Sequence, residues 1–363
     1  MKPGLSIAFF ISSHGYGHAA RCCAVIQSLS RLLPGWKYHI FTLVPEWFFK
    51  DSLNGIGYNY YPLKTDVGLV QQSPFTIDFA GTLQKLADFI PLDNKVIGAV
   101  KQKLERLNCK AVVCDISSLG IETGYRLNLP VFLLENFTWD WIYEFYRQAR
   151  PGFIPYIDFF KETYRRISYR LQCQPVSAPV ANSFICDPIS REPRVEKEVI
   201  RRTLGIPEEA RVILISTGGI AAKHHFVEKL QFLSDYYFII PNDIAKPRRM
   251  ANIIELPHHS SYYHPDLLNA ADAVICKLGY STIAETYRHN LPVLYISRRD
   301  FRESSIIQKF TDENLPSLEI TSAEFQGTDW LEKIHALMQL KAQKKKQQNG
   351  AEQAARYIMS KII

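Results

Sequence analysis

Short apolar runs alternate with helix-period stretches along almost the whole chain. In the first half, residues 6–12, 38–44, 57–63, 111–116 and 131–135 read as strands, and 17–33, 82–107 and 118–127 as helices. In the first helix Cys22, Val25, Ile26, Leu29, Leu32 and Leu33 recur at i, i+3 and i+4, which makes one buried face, and Pro34-Gly35 ends it. The strand runs are continuously apolar. Strands covered on both faces read this way, so they predict a parallel sheet flanked by helices. A polar, proline-bearing stretch at 187–194 marks a boundary, and a second set follows: strands at 212–217, 236–240, 253–256, 273–277 and 293–297, with helices at 196–204, 223–233, 282–289 and 301–313. The pattern predicts an α/β fold of two doubly wound, Rossmann-like domains facing a cleft. They are expected at 1–185 and 186–349, with a last amphipathic helix at about 350–363 packing back on the first. Ligands of such sheets bind beyond the carboxyl ends of the strands, so the polar motifs that follow strands are the candidate chemistry.

A length of 363 residues fits two domains, and 47% hydrophobic with 22% charged residues excludes disordered, collagen-like and disulfide-framed classes. No apolar run reaches the roughly 20 residues that span a bilayer, and the start runs into a strand without a signal-peptide core. A cytoplasmic protein is expected. The net charge of +7 suits an anionic ligand or lipid surface and is too mild to indicate nucleic acid. The basic run at 341–346 reads as a solvated helix face or as a peripheral membrane contact. Seven cysteines, an odd number without a Cys-x-x-Cys pair, read as buried thiols and not as a zinc site.

After the first strand come Ser12-Ser13-His14-Gly15-Tyr16-Gly17-His18-Ala19-Ala20-Arg21. Glycines at a strand–turn–helix junction let backbone approach a ligand, and the helix start offers free N–H groups. The full G-x-G-x-x-G spacing is absent. His18 falls in the first helical turn, where the dipole favours the neutral imidazole that a general base needs; the alternative is local capping or packing. Asp115 ends a buried strand and is placed either to fix the tautomer of such a base or to N-cap the helix near Ser118. The aromatic segment 135–141 suits a sugar face or a core plug.

In the second half, Ser216-Thr217-Gly218-Gly219 with Lys223 suits a pyrophosphate. Lys277 ends a strand that runs through Gly279, Tyr280, Ser281 and Thr282 into a helix carrying Glu285. Small residues there face phosphates and Glu285 accepts from ribose hydroxyls, or Thr282-x-x-Glu285 is a capping box. Gly17, His258 and Lys277 complete the candidate nucleotide-binding set. Arg298, Arg299, Asp300 and Glu303 follow the next strand, as grips on a sugar diphosphate or as a surface salt-bridge cluster.

The 12–21 motif resembles the N-terminal loop of GT-B glycosyltransferases of the MurG-like and plant UDP-sugar transferase groups. It is closer still to the glycosyltransferase-like domain of plant L-arabinokinases. The stretch 263–285 resembles the donor-nucleotide motif of MurG-like transferases. The resemblance implies that His18 activates an acceptor hydroxyl with Asp115 as its partner, and that Glu285 binds ribose. It also implies that Asp300 and Glu303 meet the donor sugar, at a place where the family often carries glutamine. It implies an inverting hexosyl- or N-acetylhexosaminyl-transferase taking a UDP-sugar, with no separate cofactor. The acceptor stays open: a small molecule, a glycan or a lipid-linked sugar. No Asp-x-Asp pair occurs, which fits a metal-independent reaction. No Walker A and no kinase-type Gly-Leu-Ser-Ser loop occurs, so the kinase half of the arabinokinases is missing. A hydrolase of the pseudaminic acid pathway shares the Gly-Tyr-Gly-His turn, so a nucleotide-sugar hydrolase stays open. So do a non-catalytic nucleotide-sugar sensor and an epimerase of the same fold.

Overall fold

A computed structural model describes residues 5–73, 76–216, 218, 226–298, 300–341 and 347–363. The chain divides into two compact units: Met1–Gln72 with Thr76–Ser190 and Asn349–Ile363, and Arg191–Gln348 with Ser73–Phe75.

In chain order the strands of the first half are β1 (Ser6–Ile11), β2 (Lys37–Thr42), β3 (Tyr58–Pro62), β4 (Val70–Ser73), β5 (Thr76–Asp78), β6 (Cys109–Asp115), β7 (Val131–Glu135), β8 (Tyr169–Cys173) and β9 (Phe184–Cys186). β4 and β5 pair by themselves, and the other seven form a sheet in the order β3-β2-β1-β6-β7-β8-β9. Its ladders are parallel. All six residues of β1 are buried, as a strand with helices on both faces requires. The strand order reverses between β1 and β6, where Ile11 stands opposite Asp115. Such a switch point opens a crevice at the carboxyl ends.

The stretch 82–107 is two helices, Phe79–Ala87 and Asn94–Arg106, not one. Pro91 lies between them; it has no N–H to give and its ring clashes with a preceding turn. Asp93 then caps the second helix through the Lys95 N–H at 2.7 Å. Strand β8 does not show as an apolar run because Arg170 and Gln172 interrupt it, and β9 is only three residues long. Gln172 is nonetheless fully buried, donating to Glu135 Oε1 at 2.9 Å. The helix Gly350–Ile362 belongs to this first unit. Ala354, Ala355 and Ile358 are buried, and Tyr357 stacks on Phe184 with centroids 4.3 Å apart. Only glycine fits at 350, because a Cβ there would stand 1.9 Å from the Asp187 carbonyl oxygen.

The second unit contains β10 (Arg211–Ser216), β11 (Tyr236–Asn242), β12 (Arg248–Met250), β13 (Ile253–Pro257), β14 (Ala273–Lys277), β15 (Val293–Ile296) and β16 (Ser317–Ile320). The sheet order is β12-β13-β11-β10-β14-β15-β16, parallel except for the antiparallel edge strand β12. Ile213, Phe238, Ile275, Leu294 and Trp330 lie in its core. The order reverses between β10 and β14. The helix expected from 282 starts at Tyr280. Where a helix was expected at 223–233, the described part is a 3-10 turn, Val227–Phe232. Among the described residues no helix is long and apolar enough to cross a membrane. The seven cysteines are buried and free.

Candidate active site

In the first unit the chain leaves β1, turns at Gly15 with φ 79, and enters the helix Tyr16–Leu32. That φ favours glycine, and no side chain caps the helix start. Gly17 and His18 lie in its first turn. His18 is 7% exposed, and its Nδ1 lies 2.6 Å from Asp115 Oδ1. An ionised carboxylate only accepts, so Nδ1 carries a proton, and in the neutral form of the ring Nε2 is the nitrogen with the lone pair.

Asp115 has no exposed surface, and burial pushes its carboxyl up. The Arg21 guanidinium, joined by His18 with its proton on at acid pH, outweighs that and holds it at about 2. Arg21 grips both carboxylate oxygens, Nε to Oδ2 at 2.8 Å and Nη2 to Oδ1 at 2.7 Å. Asp115 does not cap the helix Ser118–Arg126. Ser117 does, accepting from the Gly120 N–H at 3.1 Å.

Residues 135–139 of the aromatic segment pack as core, and Trp141 is half-buried. Trp139 is fully buried and Phe137 is 4% exposed, so neither presents a face for a sugar. Phe137 meets His18 edge-on at 5.8 Å, and His14 meets Trp139 at 5.2 Å. Trp139 Nε1 donates to Asp66 Oδ2 at 2.9 Å. Burial pushes the Asp66 carboxyl up, against hydrogen bonds from Ser12 and Trp139 and the charge of His18.

In the second unit Gly218 follows β10 with φ 84. Thr217, Gly219, Lys223 and Arg299 lie outside the described residues. Lys277 ends β14, and a Cβ on Gly218 would stand 3.4 Å from its Nζ. Burial lowers the Lys277 ammonium to about 7; Arg298 adds to this and Glu303 opposes it. Gly279 is the N-cap of the helix Tyr280–His289, again with no side-chain cap. Tyr280 is buried; Ser281 and Thr282 are half-buried.

The Thr282–Glu285 capping box does not form. Thr282 is already inside the helix, its carbonyl accepting from Thr286 Oγ1 at 2.7 Å. A capping box does occur at Thr321 and Glu324. Glu285 is 2% exposed, its Oε1 accepting from Arg191 Nε at 2.9 Å and its Oε2 lying 3.2 Å from His264 Nδ1. His264 Nε2 in turn lies 3.3 Å from Ser216 Oγ, at the end of β10. Burial lowers the pKa of half-buried His258, with Asp243 opposing and His264 adding. Asp300 is exposed, Glu303 is 4% exposed, and the Arg298 guanidinium lies over the Phe301 ring at 4.5 Å.

Arg21, Asp66, Arg191 and His264 have no individual role assigned from the sequence, and Ser216, expected beside a pyrophosphate, meets His264 instead. Arg21 had a signal, since it stands three residues after His18 on the same helix face. Asp66 and Arg191 had none, because only the folded chain brings them to Trp139 and Glu285. Among the described residues no group of three or more His, Cys, Asp or Glu is placed to hold a metal ion.

No protein-family model matches the chain. It is 21% identical over 363 residues to an L-arabinokinase of Arabidopsis thaliana, covering 99% of this chain and 34% of that protein. Among solved structures it superposes on the glycosyltransferase SnogD of Streptomyces nogalater with a TM-score of 0.61 at 15% identity, covering 99% of each chain. MurG of Acinetobacter baumannii gives a TM-score of 0.57 at 15% identity, over 99% of this chain and 100% of that one. The fold is that of the GT-B glycosyltransferases. A UDP-glucosyltransferase of Polygonum tinctorium gives a TM-score of 0.62 at 12% identity, over 99% of this chain and 98% of that one. Each sheet here carries a polar cluster beyond the carboxyl ends of its strands. His18 and Asp115 stand at the ends of β1 and β6, and Gly218, Lys277 and Gly279 at the ends of β10 and β14.

Proposed function

We propose that the chain is a glycosyltransferase that moves a sugar from a nucleotide-diphosphate sugar to an acceptor hydroxyl, without a metal ion and with inversion. One observation carries this reading: the 2.6 Å contact of His18 Nδ1 with the buried anion Asp115, which leaves Nε2 as a proton acceptor. His18 Nε2 takes the proton of the acceptor hydroxyl while its oxygen bonds to the anomeric carbon. The bond from that carbon to the diphosphate oxygen breaks, and the diphosphate leaves with the electron pair. Lys277, the Gly218 N–H and the N–H groups of the helix start after Gly279 take up its charge. Attack opposite the leaving group inverts the anomeric centre.

Glu285 receives the ribose hydroxyls on the lone pairs that Arg191 and His264 leave free. Asp300 and Glu303 are assigned to the sugar. UDP is the nucleotide in this reading, supported by the similarity to a UDP-glucosyltransferase. The sugar is a hexose or an N-acetylhexosamine, and the place of action is the cytoplasm.

The test is a thermal-shift screen of UDP- and dTDP-sugars, since a ligand bound by the native state raises the melting temperature. Hits are then incubated with an acceptor panel and analysed by mass spectrometry. A glycosylated acceptor supports the transferase. Free sugar released without an acceptor makes the protein a hydrolase, and binding without turnover makes it a sensor.

A further inference from the structure

Arg21 takes no part in the reaction as written, yet it is the most heavily bonded side chain near it. It is 1% exposed. Besides its two bonds to Asp115, its Nη1 donates to Asn136 Oδ1 at 2.7 Å and to Cys173 Sγ at 3.3 Å. Its Nη2 also stands 3.3 Å from His18 Nδ1. A guanidinium has only donors, and Nδ1 points its own proton at Asp115. Both groups therefore donate to Asp115 Oδ1, which has a lone pair for each.

A buried His–Asp pair alone has a defect as a base. A carboxylate out of water needs a cation beside it. With no other cation present, the imidazole itself supplies one by holding a proton at rest, and a protonated imidazole accepts nothing. A guanidinium stays charged at every working pH and matches a carboxylate with two parallel bonds.

We infer that Arg21 is a positioning residue. It keeps Asp115 ionised and oriented, so that Asp115 fixes the His18 tautomer while His18 itself rests neutral. This inference rests on the proposed base role of His18. Burial raises the Asp115 carboxyl, and the charge of Arg21 is the largest single influence lowering it. Other ionisable groups also face His18. Asp115 comes from β6, Asp66 from the loop after β3, His14 from the loop after β1, and Arg21 from the helix of His18 itself. Asp66 and His14 stay in place in the variants below, so their influence is common to all.

The test is a pH titration of the histidine ring signals by NMR on the full chain. The His18 signal is identified by its loss in His18→Asn. Arg21→Met should move the His18 midpoint upward by about one pH unit or more, because the buried carboxylate then draws its compensating charge from the imidazole. Asp115→Asn should move it downward. If Arg21→Met does not fold, Arg21→Lys is read instead. It should shift the midpoint the same way by less, since lysine keeps the charge and loses the fork. An unmoved midpoint in a folded variant overturns the inference and leaves Arg21 as a packing clamp. The titration needs no substrate, so it stands apart from the reaction itself. Turnover that survives His18→Ala removes the base role, whatever the midpoints show.

Discussion

His18 Nδ1 and Asp115 Oδ1 stand 2.6 Å apart although 97 residues separate them in the chain. Parallel pairing of β1 with β6 sets Ile11 opposite Asp115, and His18 lies in the first turn of the helix that follows β1. Asp115→Asn keeps the shape and removes the charge, which leaves the buried Arg21 without its anion. The variant should lose about 3–5 kcal/mol of stability, the usual range for breaking a buried ion pair. The pH dependence has a definite sign. The folded carboxyl titrates at about 2, below its ordinary 3.8. Its contribution is therefore full above the unfolded pKa and is lost as pH falls through the folded one. Urea melts of wild type and Asp115→Asn should converge across that acid window and stay apart at neutral pH.

Lys277 loses its proton at about 7 when nothing is bound. An anionic diphosphate favours the charged lysine, so affinity for UDP should weaken as pH rises through that value. Calorimetry should show proton uptake on binding at alkaline pH. Lys277→Met should abolish both the slope and the uptake. An equally steep slope in the variant would assign the titration to another group.

Glu285→Gln should weaken UDP binding by about 1–3 kcal/mol, as loss of a charged hydrogen bond does. An unchanged affinity in a folded variant would leave Glu285 as an anchor for Arg191 and His264 only.

Turnover should survive EDTA, because Lys277 and backbone N–H groups carry the leaving-group charge in the proposed reaction. Loss of activity with EDTA that Mg²⁺ restores would contradict that assignment.

Much of the fold was legible because parallel strands buried on both faces are unbroken apolar runs. β7 and β14 fall where those runs lie, and the glycine-rich turn before His18 marks the end of β1. Strand β8 was not legible, since Gln172 and Arg170 look like loop residues until Glu135 is seen to pair with both. The Thr282–Glu285 spacing reads as a capping box only if the helix begins at Thr282. Gly279, extended at φ −150, is the N-cap instead, three residues before Thr282. Arg21 sits in plain view within the first motif. Its partners Asp115, Asn136 and Cys173 come from three other strand ends, and no local pattern announces them.

The most direct measurement is the turnover of His18→Ala against wild type, alongside the UDP affinity of both. The donor is whichever nucleotide sugar raises the melting temperature, and the product is glycosylated acceptor quantified by mass spectrometry. Loss of a general base should lower kcat by roughly 10²–10⁴ and leave UDP affinity nearly unchanged, because Lys277 and Glu285, the groups proposed to hold the nucleotide, belong to the second unit. Wild-type turnover in a folded His18→Ala protein would contradict the account.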